Sequence, residues 1–202
     1  MITAESMRRA LTCAVLCGLG GAALAQVPPL YPQTRTSALH ISRATLRSVM
    51  QCVPSSSGKP GAFSAHLVSD STYSVSLIRL TKPDLPHAHG AWSEIYLVEQ
   101  GSGVMQTGGT ITGKLSHNSA THGSMFLSAS CWRRVLPGWA PGPARAPMRP
   151  VPGDKAGTAI AGGTKERVER GDMVLIPAGV PHRWLRTDGP VTYLDIKFPK
   201  AQ

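Results

Sequence analysis

The sequence predicts an all-β fold, an antiparallel sandwich or barrel entered through one short helix. Two observations carry this. From Phe63 the 202-residue chain breaks into short β-branched runs separated by turn residues. The same texture resumes after a proline-rich interruption, and the motif-bearing stretch is not repeated, so one module accounts for both halves.

The N-terminus lies outside that module. Arg8-Arg9 precede an apolar, small-residue run from Ala10 to Ala25 that closes on Ala23-Leu24-Ala25. A positive start, an apolar core and an Ala-x-Ala ending form a secretory signal, residues 1–25, cleaved after Ala25. The run is shorter than the roughly 20 residues of a bilayer span, so no stable membrane anchor is expected after cleavage. The expected address is a bacterial periplasm or the extracellular space. Cleavage removes two arginines and Glu5, so the formal charge falls from +10 to +9. A basic surface attracts acidic polymers and membranes, or simply keeps the protein soluble. No nucleic-acid motif is present, and none is expected as a partner. Cleavage also removes Cys13 and Cys17. Cys52 and Cys131 remain, either as one disulfide or as two buried thiols.

Residues 26–62 read as an arm followed by a helix. Gln26 to Leu39 has no periodicity. Ser42 stands where an N-cap belongs, and Leu46, Val49, Met50 and Val53 follow at helical spacing, so a helix is predicted over Arg43–Cys52. The module spans 63–200. Its first strands are predicted at Phe63–Val68, Tyr73–Thr81, Ala88–Gly90, Ile95–Glu99, Gly103–Thr107 and Thr110–Lys114. Residues 115–157 break the rhythm with prolines and arginines and read as an insertion: a lid, a subunit contact or a neutral expansion. Strands resume at Thr158–Ala161, Arg167–Glu169, Met173–Ile176, His182–Arg186 and Thr192–Phe198. On the last, Leu194, Ile196 and Phe198 are expected to face the core, with Tyr193, Asp195 and Lys197 on the other face.

The chemistry concentrates in His87-Ala88-His89 and Glu94. On a strand, i and i+2 point to one face, so both imidazoles aim at one point. A turn at Gly90-Ala91 is expected to fold Glu94's strand back beside the first. Two nitrogens and a carboxylate oxygen suit a transition metal better than Ca or Mg. A fourth candidate, His182, opens a strand after the sharp Pro177-Ala178-Gly179 turn. No nucleophile–base pair, phosphate loop or nucleotide fingerprint accompanies them.

These two stretches resemble the paired motifs of the cupin superfamily. In the first, His87, His89, Glu94 and Gly101 stand at the family spacing, with Thr81 replacing the leading glycine. In the second, Gly171, Pro177, Gly179 and His182 match, with Arg186 replacing the final asparagine. The resemblance implies a small double-stranded β-helix, or jelly-roll barrel, with the motifs as hairpins. It also implies one divalent metal (Mn, Fe, Zn, Ni or Cu) held in the mouth by His87, His89, Glu94 and His182, and a homodimer.

Alternation extends the site. If Glu94 points inward, so do Tyr96 and Val98; if His182 does, so do Trp184 and Arg186. Tyr96 is a candidate proton donor, Trp184 a pocket wall, though core packing explains either. Arg79 is a candidate carboxylate anchor. His40, His66, His117 and His122 match no motif position. An exported, metal-dependent oxidoreductase (dioxygenase) or isomerase acting on a small organic molecule is the expected function. The alternative is a cupin that binds a metal or small molecule without turnover.

Overall fold

The computed structural model describes residues 38–52, 61–69, 72–114, 124–126 and 153–200. The predicted signal, the arm to residue 37, Cys131, His117, His122 and most of the 115–157 insertion lie outside these residues.

The helix α1 (Arg43–Cys52) forms where the cap places it: the Thr45 N–H donates to Ser42 Oγ at 3.1 Å. Thirteen strands follow among the described residues: β1 (Ala62–Ser69), β2 (Ser74–Leu80), β3 (His87–Ala88), β4 (Trp92–Gln100), β5 (Ser102–Thr107), β6 (Thr110–Thr112), β7 (Ser124–Phe126), β8 (Lys155–Ala156), β9 (Ala159–Ala161), β10 (Thr164–Glu169), β11 (Met173–Ile176), β12 (His182–Thr187) and β13 (Val191–Pro199). One sheet runs β11-β4-β13-β2-β1-β7 and a second β10-β5-β12-β3-β8; β6 and β9 form a separate ribbon. Pairing is antiparallel except for β7 along β1. Both β7 and β8 arise from the segment the sequence reads as insertion.

Between the sheets lie Leu80, Tyr96, Val98, Met105, Ile176, Trp184, Val191 and Tyr193. A second cluster packs Val49 of α1 against Phe63, Ala65, Leu67 and Leu77, on the outer face of the six-stranded sheet. Burying a large apolar side chain stabilises by about 1.5–3 kcal/mol. The helix is thus a cover for a sheet face that would otherwise meet water.

That cover inverts the expected reading of β13. Val191, Tyr193 and Asp195 are buried inside the barrel, while Leu194 packs toward the helix-covered cluster. Leu194, Ile196 and Phe198 are each only partly buried. Apolar alternation marks a buried face, and here both faces of the strand are covered.

A second difference concerns the first motif. β3 pairs with β12 and β8, whereas β4 lies between β11 and β13 in the other sheet. Gly90-Ala91 therefore carries the chain across the barrel and forms no hairpin. Gly90 is required there: a Cβ would sit 2.6 Å from the Gly153 backbone.

Two motif glycines separate conformation from space. Gly101 has φ 84°, and a Cβ on it would lie 2.3 Å from the Pro190 carbonyl oxygen; Gly171 has φ 95° but nothing within 4 Å. Gly171→Ala is expected to cost about 1–2 kcal/mol from backbone conformation alone. Gly101→Ala should cost a further 1–3 kcal/mol or so from overpacking. Urea denaturation of both variants checks this ordering, and equal losses would contradict it.

Candidate metal centre

The crossing at Gly90-Ala91 sets the geometry. His87 belongs to the five-stranded sheet, where it sits opposite His182 in the β12–β3 register, with ring centroids 4.2 Å apart. Glu94 approaches from the six-stranded sheet. One candidate ligand atom each from His87, His89 and Glu94 lies within 4.8 Å of the others. His182 Nε2 is 2.9 Å from Glu94 Oε2, and His89 Nε2 is 3.5 Å from Glu94 Oε1. The four sequence-predicted ligands converge at one end of the barrel interior.

The outer nitrogens explain the orientation of the rings. His87 Nδ1 meets the Leu85 carbonyl at 2.9 Å and His182 Nδ1 the Val180 carbonyl at 2.9 Å. His89 Nδ1 faces Asp154 Oδ2 at 3.4 Å. Each acceptor holds the proton on Nδ1 and leaves Nε2 as the nitrogen that could ligate a metal, the support that metal-binding histidines require.

The carboxylate fits a cation as well. Glu94 is 1% exposed. His182 and Lys197 approach its oxygens at 2.9 and 2.7 Å, yet off the direction of a hydrogen bond, so both oxygens and His182 Nε2 are buried without one. Burial by itself would raise the Glu94 pKa, but the adjacent His182, Lys197 and His89 outweigh it and hold the carboxyl well below its usual range. For His182, burial favours the neutral ring, and Glu94 overcomes it and raises the pKa. His89 goes the other way, lowered by burial and by Lys197. A buried carboxylate with misaligned neighbours and three pinned imidazoles is a donor set suited to a divalent ion.

Two opposed β-sheets with both motifs converging at one end decide the architecture. The fold is a double-stranded β-helix barrel, the architecture that the cupin resemblance implies. No protein-family model matches the chain, and no curated protein matches it. Among solved structures, it is similar to a protein from Bacillus halodurans at 13% identity, over 85% of this chain and 89% of that one, with a TM-score of 0.43. It is similar to KdgF from a Halomonas species at 12% identity, over 72% and 87% of the two chains, TM-score 0.38. A cupin 2 conserved barrel domain protein from Leptotrichia buccalis aligns at 14% identity over 74% and 45%, TM-score 0.41.

Around these candidate ligands, Tyr96 and Val98 point inward, both 2% exposed. Tyr96 lies 5.9 Å from the His182 ring and 4.5 Å from the Tyr193 ring, and burial raises its pKa well above the usual value, so its hydroxyl stays protonated. Trp184 is fully buried in the core, 5.9 Å from Tyr193.

The two arginines do not join the site. Ile78 and Leu80 pack in the interior cluster, so alternation turns Arg79 to the outer face, where it donates to Thr192 Oγ1 and Gln100 Oε1. Arg186 follows a register shift after Trp184, which breaks the alternation. It is exposed and donates to Asp188 at 2.7 Å. His66, by contrast, meets Ser76 Oγ at 2.9 Å.

Four functional neighbours have no counterpart in the motifs: Asp84, Asp154, Asp195 and Lys197. Asp84 accepts the Trp184 backbone N–H at 2.5 Å, and burial pushes its pKa up to about 7. Asp195 is likewise pushed up to about 7 by burial. Only the strand pairing of β13 beside β4 would have exposed Asp195 and Lys197, and that pairing is not local in sequence.

Two outcomes follow. A carboxyl whose folded pKa is raised gives up stability as pH climbs from its ordinary value near 3.8 to about 7. Urea melts between pH 4 and 7 should show wild type losing stability relative to Asp84→Asn; parallel curves would reject the assignment. Asp154→Asn, by loosening the His89 ring, should weaken zinc binding by about 10–100-fold in calorimetric titration.

Proposed function

We propose that this cupin is an exported, metal-dependent enzyme, of the dioxygenase or isomerase kind, acting on a small organic molecule at the barrel mouth. The observation that carries the reading is the pinning of three imidazoles by Leu85, Asp154 and Val180, with a buried carboxylate between them. One divalent transition ion would be held by His87, His89, Glu94 and His182. An ion that takes five or six ligands would keep a position for a substrate oxygen beside these four, and an open position separates a reactive site from a closed structural one. The bound ion supplies Lewis-acid polarisation of that oxygen.

The protein's own groups complete the reading. Glu94 remains ionised throughout the neutral range and supplies the negative charge of the ligand set. Tyr96 keeps its proton and can donate a hydrogen bond to a ligand beside His182. Trp184, Tyr193 and Val98 form an apolar floor that limits water. Export is supported by the charged, apolar and Ala-x-Ala pattern of residues 1–25. A cupin that captures a small molecule without turnover would use the same four ligands.

Elemental analysis of natively purified protein is the test. About one transition metal per chain is expected in the wild type, falling toward none in His87→Ala and in His182→Ala. Full metal retention in both variants would overturn the site. A substrate and oxygen-uptake screen on the loaded protein then separates enzyme from binder.

A further inference from the structure

The pocket holds one group that neither motif contains. Lys197 enters from β13, in register with Glu94 on β4. Its Nζ lies 2.7 Å from Glu94 Oε1 and donates to His89 Nε2 at 2.9 Å, with Asp195 Oδ2 at 3.6 Å. An imidazole nitrogen has one lone pair, so His89 Nε2 either accepts from Lys197 or ligates an ion. Taking the metal reading as its basis, ion uptake therefore moves the ammonium off His89 and draws Glu94 Oε1 toward the ion. Lys197 then loses its acceptor, His89 Nε2, and part of its ion pairing with Glu94, while Asp195 stays beside it. A partly buried ammonium needs a replacement acceptor.

Exposure shows where the replacement arrives. The His89 and Lys197 side chains are 20% and 26% exposed, against 1% for Glu94 and His182. Solvent thus meets the site beside Lys197. Asp154 does not fill the gap, because it faces the Nδ1 side of His89, away from the ligating nitrogen. The divalent ion and Lys197 bring three positive charges to the cluster, against the carboxyl groups of Glu94, Asp154 and Asp195. The two adjacent cations on the open side of the site suit an oxygen anion.

We propose that Lys197 is a specificity-determining residue of this site, forming with the bound ion a two-cation seat for a small carboxylate. One carboxylate oxygen ligates the ion and the anion accepts a charge-assisted hydrogen bond from the ammonium. The flexible four-carbon stem lets the ammonium change partners without a change of fold. Substrates of this cupin are accordingly carboxylic acids, in preference to neutral carbonyl compounds or amines.

Cobalt(II) makes the test visible, because its d–d bands respond to each new ligand. Wild type, Lys197→Met and Lys197→Arg are titrated with cobalt, and the loaded proteins with benzoate and with neutral benzamide. Wild type should bind cobalt and then benzoate, and ignore benzamide. Lys197→Met should bind cobalt at least as tightly but benzoate about tenfold or more weakly, with Lys197→Arg restoring most of the difference. Equal benzoate affinity in Lys197→Met, or benzamide binding as tight as benzoate in wild type, overturns the proposal. Absence of cobalt uptake by wild type overturns the metal reading and this proposal together; uptake without benzoate binding overturns this proposal alone. If Lys197→Met takes up no cobalt, Lys197→Gln makes the same comparison.

Discussion

One buried carboxylate organises this protein. Glu94 lies inside the barrel at 1% exposure with both oxygens enclosed. An isolated charge in that place is costly, and cations or cation-seeking groups must surround it. His182 and Lys197 stand within 2.9 Å of its oxygens and His89 within 3.5 Å. These groups come from both sheets, so the requirement for compensation acts across the barrel as well as along it. The buried charge and the barrel's closure are therefore one problem with one solution.

The interior divides along its length. Tyr96, Val98, Met105, Trp184 and Tyr193 make an apolar region, and His87, His89, Glu94, His182, Asp195 and Lys197 gather beyond it. Asp195 in this interior and Asp84 at its margin have pKa values pushed up to about 7, so burial favours their neutral forms. The Trp184 backbone N–H bonded to Asp84 ties that balance to the strand bearing His182. Outside, α1 shields the six-stranded sheet around Leu77, which lets β13 carry apolar residues outward and polar ones inward. Cys52, at the end of that helix, is disulfide-bonded, with its partner outside the described residues.

The candidate ligands were legible because each is set by short-range order. His87 and His89 follow from strand alternation, Glu94 from its place in the next apolar run, and His182 from the Pro177-Ala178-Gly179 turn. The same alternation failed for Arg186, because a register shift lies between it and Trp184. Arg79 was named only for its place on the strand before the first motif, and no local signal says which face of β2 is interior; Ile78 and Leu77 flank one another on opposite faces, and both are apolar. Lys197 and Asp195 were assigned away from the core by the rule that apolar residues mark the inside. A helix packed on the outer face suspends that rule. The crossing at Gly90-Ala91 read as a hairpin because a glycine bend looks alike whether it returns to the same sheet or passes to the other.

By itself, then, the sequence determined the all-β character and the helix with its Ser42 cap, and its two motifs pointed to four candidate ligands and to the barrel that the resemblance implies. All of these rest on periodicity, capping and turn chemistry within a dozen residues, or on two motifs read side by side. The tertiary structure alone decided that Glu94 and His87 face each other from different sheets, that Arg79 and Arg186 stand outside, and that Lys197 reaches Glu94 and His89. Each of these depends on which strands become neighbours. Burial, which the chain settles only when it closes on itself, makes that choice.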